Sequence, residues 1–588
     1  MKVNKLKKLL SIFMVCILAL SGCSADKQKP IDVYEYSLDS FDSFINDLFV
    51  SEVTGDSITL NYTLAHPENF GISSVEPSYG STDLEHLDDD SQTIEAINAL
   101  KSFDYDKLSD DQKLTYDILL DTLETTLEYS DLYLYDKTLS PTIGLNCQLP
   151  VILAEYSFRT KQDVYDYVNL LKQTDEYFTF LLELEKMKAK EGLFMTDDLA
   201  EQVIEQCDIF TENPEENYLI GIFNDKIDDM KEFSDTEREN LKQENKKAVL
   251  EHVIPAYDLL ADGLEELLGT GKYEGGLCNY PEGDAYYRYL VRSDVGTNRS
   301  IDEVEKLIDR YMKLAFYEMG GILRQNPDIL DYVDDAAFPL NDPYEILDDL
   351  QERIYDEFPK LPETTYTVKY VHPSLEDNLS PAFYLTPAID DYTDNVIYIN
   401  KGEQYAEQDI YTTLAHEGFP GHLYQMVYTA SKGISPVRSL LSFSGFTEGW
   451  ATYVELLSYR MGAIDEDMGA LLSANQLITL CVYAKCDIGV NYHGWTVEDI
   501  SDYVSSLFGE LEDSVMKEIY DAMVSEPANY LNYVVGCMEF MELRTTAEDA
   551  LGTKFDPVAF HDFILTTGPA PFEMIADRLD VWIQQQSK

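Results

Sequence analysis

Apolar residues recur every three or four positions along most of the chain, with acidic residues between them. This period is typical of amphipathic helices that bury one face. It predicts helices over residues 40–51, 91–101, 109–129, 162–190, 197–211, 214–230, 235–268 and 301–325. Glycine and proline cluster between some of these segments and predict connections at Gly71–Gly80, Pro141–Pro150 and Gly269–Gly283.

The pattern changes between residues 366 and 400. Short segments rich in Tyr, Val and Ile predict three strands, Tyr366–Val371, Ala382–Leu385 and Asn395–Asn400. Helical periodicity resumes at about Gln408 and continues, with breaks, to the end of the chain. We expect the third strand at the edge of the sheet, where it could pair with an extended peptide through its main chain. A sheet strand without any ligand is the alternative.

These patterns predict a mainly α fold with a small β-sheet beside the helix that follows it. We expect two helical halves, residues 31–300 and 301–588, which meet near residue 300. The functional site would lie in a cleft between them, with its chemical groups in the second half. One intertwined domain fits the same pattern equally well.

The first residues have the pattern of an export signal. Four lysines among the first eight residues precede the apolar run Leu9–Leu20, and Leu-Ser-Gly-Cys follows at residues 20–23. This arrangement is typical of a lipoprotein signal peptide. We predict that residues 1–22 are removed, that Cys23 carries lipid, and that residues 23–30 form a tether. An ordinary signal peptide or an uncleaved anchor is the alternative, although twelve apolar residues are few for a membrane span.

The charge of the chain limits its partners. The sequence has 109 acidic and 43 basic residues, and its formal net charge is −66. Nucleic-acid-binding proteins need a basic surface, so nucleic acid is excluded as a partner. An acidic surface also opposes adhesion to anionic lipid, so we expect membrane contact through the N-terminal lipid only. Aromatic residues make up 12% of the chain, which is enough for a large core.

Candidate chemistry is concentrated in two short motifs. Residues 416–422 read His-Glu-Gly-Phe-Pro-Gly-His, and residues 447–450 read Thr-Glu-Gly-Trp. The chain has only eight histidines in 588 residues, so chance composition is a poor explanation for two of them beside one glutamate. A catalytic zinc ion needs three protein ligands, an open position for water and a nearby base. The two motifs contain residues for each of these roles.

We therefore expect one Zn²⁺ bound by His416, His422 and Glu448, with Glu417 as the general base. The alternative is a helix with two ordinary histidines and capping acids. Iron or manganese could also occupy a site with two histidines and one carboxylate.

A straight helix cannot bring the two histidines together. Metal-binding histidines on one helix stand at i and i+4, because about 400° of rotation nearly closes a turn. Here position i+4 is Pro420, and His422 at i+6 lies about 600° from His416. Because Pro420 and Gly421 can kink or bulge a helix, we predict a break between Phe419 and His422.

The carboxylate ligand is expected from the next helix. Glu448 follows His422 by 26 residues, which is long enough for one helix to end at Gly433–Pro436 and the next to return. Glu455 lies seven residues after Glu448 on the same helical face. It is either an outer partner that orients a ligand or a competing ligand.

The chain resembles a large bacterial family catalogued as a domain of unknown function, number eight-eight-five. Its members are placed near gluzincin-type zinc peptidases such as angiotensin-converting enzyme, thimet oligopeptidase and the thermostable carboxypeptidases. The resemblance rests on the motif at residues 416–422 and covers nearly the whole chain after the signal sequence. Other matching segments are Tyr62–Gly71, Leu149–Arg159, Glu448–Ala451, Glu542–Arg544, Ala547–Glu548, Leu551–Gly552 and Phe560–Asp562.

The resemblance implies a helix-rich, gluzincin-like peptidase fold with a deep central cleft. It also implies zinc bound by His416, His422 and Glu448, with Glu417 as the general base, in agreement with the residue pattern. The family often has a second histidine after His422, where this chain has Leu423. It often has a histidine where this chain has Asn491, with His493 two residues on. Asn491 and His493 are therefore candidates for a supporting or substrate-binding role.

Peptide hydrolysis also needs a second electrophile beside the metal to stabilise the oxyanion, and Tyr533 is our candidate. One side of a helix would carry Tyr533, Gly536, Phe540 and Arg544. Tyr533 and Arg544 are eleven residues apart, which corresponds to a rotation of about 1100°, close to three full turns. Gly536 would let this helix approach the metal-binding helix closely. Packing in the core is an equally good interpretation of Tyr533. Other candidates for this role are Tyr530, His493 and His561.

Arg544 is the candidate cation near these acids. We expect it to have a structural role, in which it pairs with Glu448 or Glu455, because acids around a metal site need a neutralising charge. A role in substrate binding is the alternative.

The sequence thus predicts a lipid-anchored zinc metallopeptidase on the extracytoplasmic face of the cell membrane, with peptides as substrates. A lipid-anchored peptide-binding protein without catalysis is one alternative. A zinc amidohydrolase that acts on non-peptide amides is another. The intact Glu417 argues against a pure binding protein, because such a protein has no use for a base beside the metal.

Overall fold

The structure, a computed structural model, describes residues 36–588 apart from residues 334–335, 372, 374–375, 377–378, 406–408, 463 and 510. The predicted signal sequence, Cys23 and the tether therefore lie outside the described residues. The predicted mainly α fold with a small sheet is confirmed. Within the described part of the chain, none of the helices combines the length and the apolar character needed to cross a bilayer.

The regular elements in the first half of the described chain are helices, and the longest connections between them span residues 64–90, 129–144 and 266–282. Its helices are α1 Phe41–Val53, α2 Ser57–Thr63, α3 Ser91–Lys101, α4 Asp110–Glu128, α5 Leu145–Glu155, α6 Lys161–Leu171, α7 Thr174–Glu191, α8 Asp197–Thr211, α9 Tyr218–Asp229, α10 Asp235–Ala248, α11 Ile254–Glu265 and α12 Gly283–Ser293.

Two predicted helices of this half are interrupted. The segment 162–190 forms α6 and α7, and the Thr174 hydroxyl donates to the Leu171 carbonyl at the junction. The segment 235–268 contains one π turn at Val249–Val253 between α10 and α11. Pro255 follows this turn, and it has no backbone N–H to continue a regular helix. Apolar periodicity alone could not reveal either interruption.

The second half contains the sheet and the helices around the two motifs. Its helices are α13 Ile301–Gln325, α14 Pro343–Arg353, α15 Tyr411–Glu417, α16 His422–Ser431, α17 Ser444–Met461, α18 Glu466–Asn491, α19 Val497–Phe508, α20 Asp513–Ser525, α21 Asn529–Leu551, α22 Pro557–Thr567 and α23 Phe572–Gln586.

Three strands form one sheet in the order β1-β3-β2, with β1 Thr365–Tyr370, β2 Ala382–Leu385 and β3 Asp394–Ile399. Strand β3 pairs in parallel with β1 and antiparallel with β2. The prediction that Asn395–Asn400 is an edge strand is therefore wrong. Its side chains are buried on both faces, as in a central strand. The edge strands are β1 and β2.

The sheet is packed between the two halves of the chain. On one face Phe383 and Tyr398 lie in an apolar cluster with Val151 and Tyr218 of the first half. The Tyr398 hydroxyl also donates to Glu155 at 2.9 Å. On the other face α15 packs against β2. This arrangement places a short edge strand directly beside the helix that carries the first motif.

Candidate metal centre

The backbone breaks inside the first motif. Helix α15 ends at Glu417, α16 begins at His422, and the Phe419–Pro420 peptide bond between them is cis. The Gly421 N–H donates to the Ala415 carbonyl at 2.9 Å, so the chain folds back against the end of α15. The predicted break between Phe419 and His422 is present.

Glycine is required at both ends of this break. A Cβ atom on Gly421 would lie 1.7 Å from the main-chain oxygen of His416. One on Gly418 would lie 2.4 Å from a methyl group of Leu347 and 2.8 Å from the Leu414 carbonyl. Side chains at these positions would force the two helices apart. The glycines therefore permit the close fold that returns the second histidine to the first.

The second motif contacts the break directly. Trp450 of α17 donates from its indole nitrogen to the Pro420 carbonyl at 2.9 Å, and its side chain is fully buried. Glu448 lies two residues earlier on the same helix. One helical turn therefore provides both a carboxylate and the donor that holds the break in place.

The break brings the two imidazoles together. The His416 and His422 ring centroids are 4.9 Å apart, and the ring planes are inclined by 79°. The Glu448 Oε2 atom lies 3.5 Å from His416 Nε2 and 3.6 Å from His422 Nε2. All three side chains are buried. The predicted ligands thus form one compact group, with three donor atoms facing one another.

Four buried polar atoms of this group have no hydrogen-bond partner among the described residues. They are Nε2 of both histidines and both carboxylate oxygens of Glu448. A buried polar atom without a partner costs about 1–3 kcal/mol, more when it is charged. Four such atoms directed at one another fit a bound cation, because a cation would satisfy all of them at once.

Two carboxylates lie close enough to complete the donor set. Donor atoms of His416, Glu417 and His422 all lie within 4.8 Å of one another. Glu448, however, offers two unpartnered oxygens, whereas Glu417 Oε2 accepts the main-chain N–H of Tyr384 at 2.9 Å. The geometry therefore favours Glu448 over Glu417 as the carboxylate able to ligate a cation, with Glu417 beside the group. Strand β2 holds the Glu417 carboxylate through that N–H group.

Glu455 lies behind the group and not inside it. Its Oε2 atom is 3.1 Å from His416 Nδ1, and its Oε1 atom accepts from Gln476 Nε2 at 3.2 Å. A hydrogen bond at Nδ1 leaves the Nε2 lone pair free for a metal ion. Of the two roles considered for Glu455, the geometry favours an outer partner that orients His416.

Burial and neighbouring charges act in opposite directions on the pKa values of this group. Burial would lower the pKa of His416, but the carboxylates of Glu448 and Glu455 raise it to about 10. Burial would raise the pKa of Glu448, but the two histidines lower it to about 2. Burial raises the pKa of Glu417, against the opposing effect of both histidines. Without a metal, the surrounding carboxylates therefore favour the protonated form of His416.

Helix α21 crosses α17 at three glycines, Gly445 and Gly449 of α17 and Gly536 of α21. A Cβ atom on Gly536 would lie 2.0 Å from the Gly445 carbonyl oxygen, and one on Gly449 would lie 2.3 Å from the Gly536 backbone. A close approach at Gly536 is therefore present, but it is made with α17, which carries Glu448, and not with the histidine-bearing helix for which it was predicted. It brings Tyr533, one turn earlier, next to the histidines. The Tyr533 ring stacks on His416 with centroids 6.4 Å apart.

The family described as "Bacterial protein of unknown function (DUF885)" matches residues 81–579. The chain belongs to this family. The predicted family resemblance is thereby confirmed. A search of curated proteins found no match.

Two solved structures share the fold of this DUF885 chain. "The putative lipoprotein from Colwellia psychrerythraea" is 20% identical, with a TM-score of 0.80 over 93% of this chain and 100% of that chain. "A putative lipoprotein of unknown function from Shewanella oneidensis" is 15% identical, with a TM-score of 0.61 over 92% of this chain and 99% of that chain. At these identities the likeness concerns the fold alone.

Arg544 does not pair with Glu448 or Glu455 in this DUF885 structure. Its Nη1 atom donates to Glu357 at 3.0 Å and to the Tyr453 hydroxyl at 2.8 Å, and its Nε atom donates to Glu548. The expected pairing fails because Arg544 lies two turns beyond the helix crossing, opposite Tyr453. Its contacts agree with the expected structural role but involve different acids.

Three other candidates have partners of their own. His561 stacks on Phe358 at 4.1 Å and bonds to Tyr453, while Tyr530 stacks on Tyr483 at 4.8 Å. These contacts place both side chains in packed aromatic groups. His493 pairs with Glu305 at 3.1 Å near the surface.

Asn491 is fully buried at the end of α18. It donates to the Met523 carbonyl at 2.8 Å and accepts the Leu277 N–H at 3.1 Å. Neither Asn491 nor His493 hydrogen-bonds to the unpartnered atoms of the centre. At the position where the resemblance implied a histidine, this chain thus has a residue that ties three chain segments together.

Sequence reasoning missed three residues of this centre. Trp450 belongs to the second motif, but its position two residues after Glu448 does not by itself predict a contact with Pro420. Gln476 lies in a uniformly buried helix with no distinguishing pattern. Tyr384 acts through its main chain, so its side-chain identity carried no signal.

Proposed function

We propose that this protein is a lipid-anchored, extracytoplasmic zinc metallopeptidase. The observation that carries the proposal is the convergence of four unpartnered buried donor atoms beside a separate carboxylate. His416, His422 and Glu448 would hold the ion and leave one position open. Glu417 would act as the general base.

When bound, zinc would lower the pKa of a water molecule to about 7 and polarise the substrate carbonyl. Glu417 accepts the proton of the attacking water and later donates it to the leaving amine. The Tyr384 N–H keeps one carboxylate oxygen fixed during both transfers.

Strand β2 replaces β3 as the expected docking edge for a peptide. It is the edge strand on the side of α15, and because Glu417 already accepts the Tyr384 N–H, a peptide would pair with the other outward main-chain groups of β2. An extended peptide that pairs with β2 would place its carbonyl groups near the centre. Tyr533 stays our candidate for the oxyanion, because its ring lies against His416.

The test combines metal analysis with cleavage of a peptide mixture by the purified protein. We expect one zinc ion per chain and cleavage that stops in Glu417→Gln while zinc stays bound. Glu266→Gln, an exposed glutamate, is the matched control and should cleave like the parent. Zinc without any peptide cleavage would favour the peptide-binding or amidohydrolase alternatives. Full cleavage by Glu417→Gln would show that the base is assigned wrongly.

The anchor needs a separate test, because Cys23 lies outside the described residues. We expect labelled fatty acid to be incorporated in cells and lost in Cys23→Ala. Cys278→Ala is the control, because it removes a different cysteine, one that is partly exposed in the structure. Equal labelling of the parent and Cys23→Ala would contradict the lipid anchor and leave the metal site unaffected.

A further inference from the structure

We propose that Gln476 of α18 is a positioning residue of the metal centre. Its amide holds the Glu455 carboxylate, and this carboxylate in turn fixes the ring of His416. The inference rests on the metal-binding part of the proposed function and extends it to a helix outside both motifs.

The three side chains form a continuous buried chain of contacts. Gln476 Nε2 donates to Glu455 Oε1 at 3.2 Å, and Glu455 Oε2 lies 3.1 Å from His416 Nδ1. Their residues are only 3–4% exposed. Each carboxylate oxygen of Glu455 therefore has a different partner, so rotation of the carboxylate would break both contacts.

The choice of glutamine has a chemical reason. An amide donates a hydrogen bond without carrying charge, so Gln476 holds the Glu455 carboxylate and adds no cation to compete with a metal. Without this donor, Glu455 Oε1 would be a buried polar oxygen with no partner. The carboxylate would then rotate toward another donor, and His416 Nδ1 would lose its acceptor. Outer partners of this kind typically change metal affinity by 10–100-fold.

A neighbouring contact supplies a matched control. Ser473, one turn before Gln476 on α18, donates to the main-chain oxygen of Leu456 at 3.0 Å. Leu456 directly follows Glu455 on α17. Ser473 and Gln476 thus join the same two helices at adjacent residues, but only Gln476 reaches the carboxylate. Loss of either contact weakens the packing of α17 against α18, but only loss of the Gln476 contact should weaken metal binding.

The experiment measures zinc affinity of the purified full-length protein by competition with a chromophoric chelator. We expect Gln476→Met to bind zinc about 10–100-fold more weakly than the parent and Ser473→Ala to stay within about twofold. Melting of the metal-free proteins reports folding. If Gln476→Met does not fold, Gln476→Glu decides. It keeps the size of the side chain but places a second carboxylate against Glu455, so it should also lose affinity.

Each result has a definite meaning. Unchanged zinc affinity in the folded Gln476 variant, or an equal loss in Ser473→Ala, would overturn the positioning role and leave the proposed function standing. A parent protein that binds no zinc would overturn both. Cobalt absorption spectra give a second measure, because a reoriented His416 should change the ligand-field bands of Gln476→Met and not those of Ser473→Ala.

Discussion

The indole nitrogen of Trp450 donates to the Pro420 carbonyl at 2.9 Å and thereby joins the two motifs of the centre. Pro420 lies inside the break that separates the two histidine-bearing helices. Trp450 lies two residues after Glu448. One helical turn thus supplies the carboxylate and also fixes the break that precedes His422. The contact between Trp450 and Pro420 therefore helps to set the distance between Glu448 and His422.

Replacing Trp450 by phenylalanine should weaken metal binding. The Trp450→Phe variant keeps an aromatic ring but leaves the buried Pro420 carbonyl without its donor, which costs about 1–3 kcal/mol. Part of this cost can be relieved by movement of the break, and such movement displaces His422. We expect a zinc affinity at least about tenfold lower in chelator competition.

The matched control for this variant is Trp582→Phe. Trp582 packs on Phe560 and Phe563 near the end of the chain, in contacts that do not include the break. It should lose some stability and keep the zinc affinity of the parent. Equal zinc affinity in the parent and Trp450→Phe would show that the indole contact does not position the histidine.

Much of the centre could be predicted because its determinants are local. The spacing of His416 and Pro420 excludes a straight helix, and only a break can bring His422 back to His416.

The order of the strands could not be predicted in the same way, because it depends on pairing between segments distant in sequence. The pattern of β3 could not show that β1 and β2 would occupy both of its edges. The acidic partners of Arg544 likewise depend on where two helices cross, which periodicity alone does not fix.

The crossing of α17 and α21 should not tolerate a methyl group. In Gly536→Ala, the new Cβ would lie 2.0 Å from the Gly445 carbonyl oxygen, so the helices must separate. Overpacking of this kind typically costs about 1–3 kcal/mol, and we expect a lower melting temperature. Zinc affinity should fall as well, because a shift of α17 displaces Glu448 relative to His416 and His422.

Gly221→Ala is the control for the glycine variant. Gly221 lies within helix α9, and a Cβ atom there would have no heavy atom within 4 Å. Alanine has the better helix propensity, so this variant should be equally stable or more stable, by up to about 1 kcal/mol. A Gly536→Ala protein that melts like the parent would mean that the helix crossing is looser than the structure indicates.

The metal-free protein should become less stable as the pH rises above neutrality. The pKa of His416 is raised from its ordinary value of 6.5 to about 10, so the folded state favours the protonated form. This contribution is complete below pH 6.5 and is lost as the pH rises through about 10. Urea midpoints of the metal-free protein should therefore fall between pH 7 and pH 10.

With zinc bound, the stability of the protein should instead rise with pH. A histidine binds a metal only as the neutral imidazole, so zinc affinity increases as His416 releases its proton. His416→Gln should remove the decline in the metal-free protein. If the metal-free parent and His416→Gln show the same dependence between pH 7 and pH 10, other groups cause the decline and His416 is not protonated in the folded state.

A second histidine should make the protein sensitive to acid. His561 is fully buried, and burial lowers its pKa to about 3, against the opposing hydrogen bond to the Glu357 carbonyl. Its ring lies flat on Phe358, and its Nε2 atom contacts the Tyr453 hydroxyl at 3.0 Å. The neutral ring is thus required by the fold, whereas the unfolded chain protonates His561 near pH 6.5.

The sign of this contribution follows from the lowered pKa. The stability that the neutral ring provides is complete above pH 6.5 and is lost as the pH falls toward 3, at up to about 1.4 kcal/mol per pH unit. We expect His561→Gln to be less stable than the parent at pH 7 but to lose less stability between pH 6.5 and pH 4. His252→Gln, which changes a histidine beside Asp175 near the surface, is the control. Because both variants remove one histidine, only the difference in burial separates them. Parallel pH curves for the parent and His561→Gln would show that His561 accepts a proton without unfolding, and that its packing against Phe358 tolerates the charge.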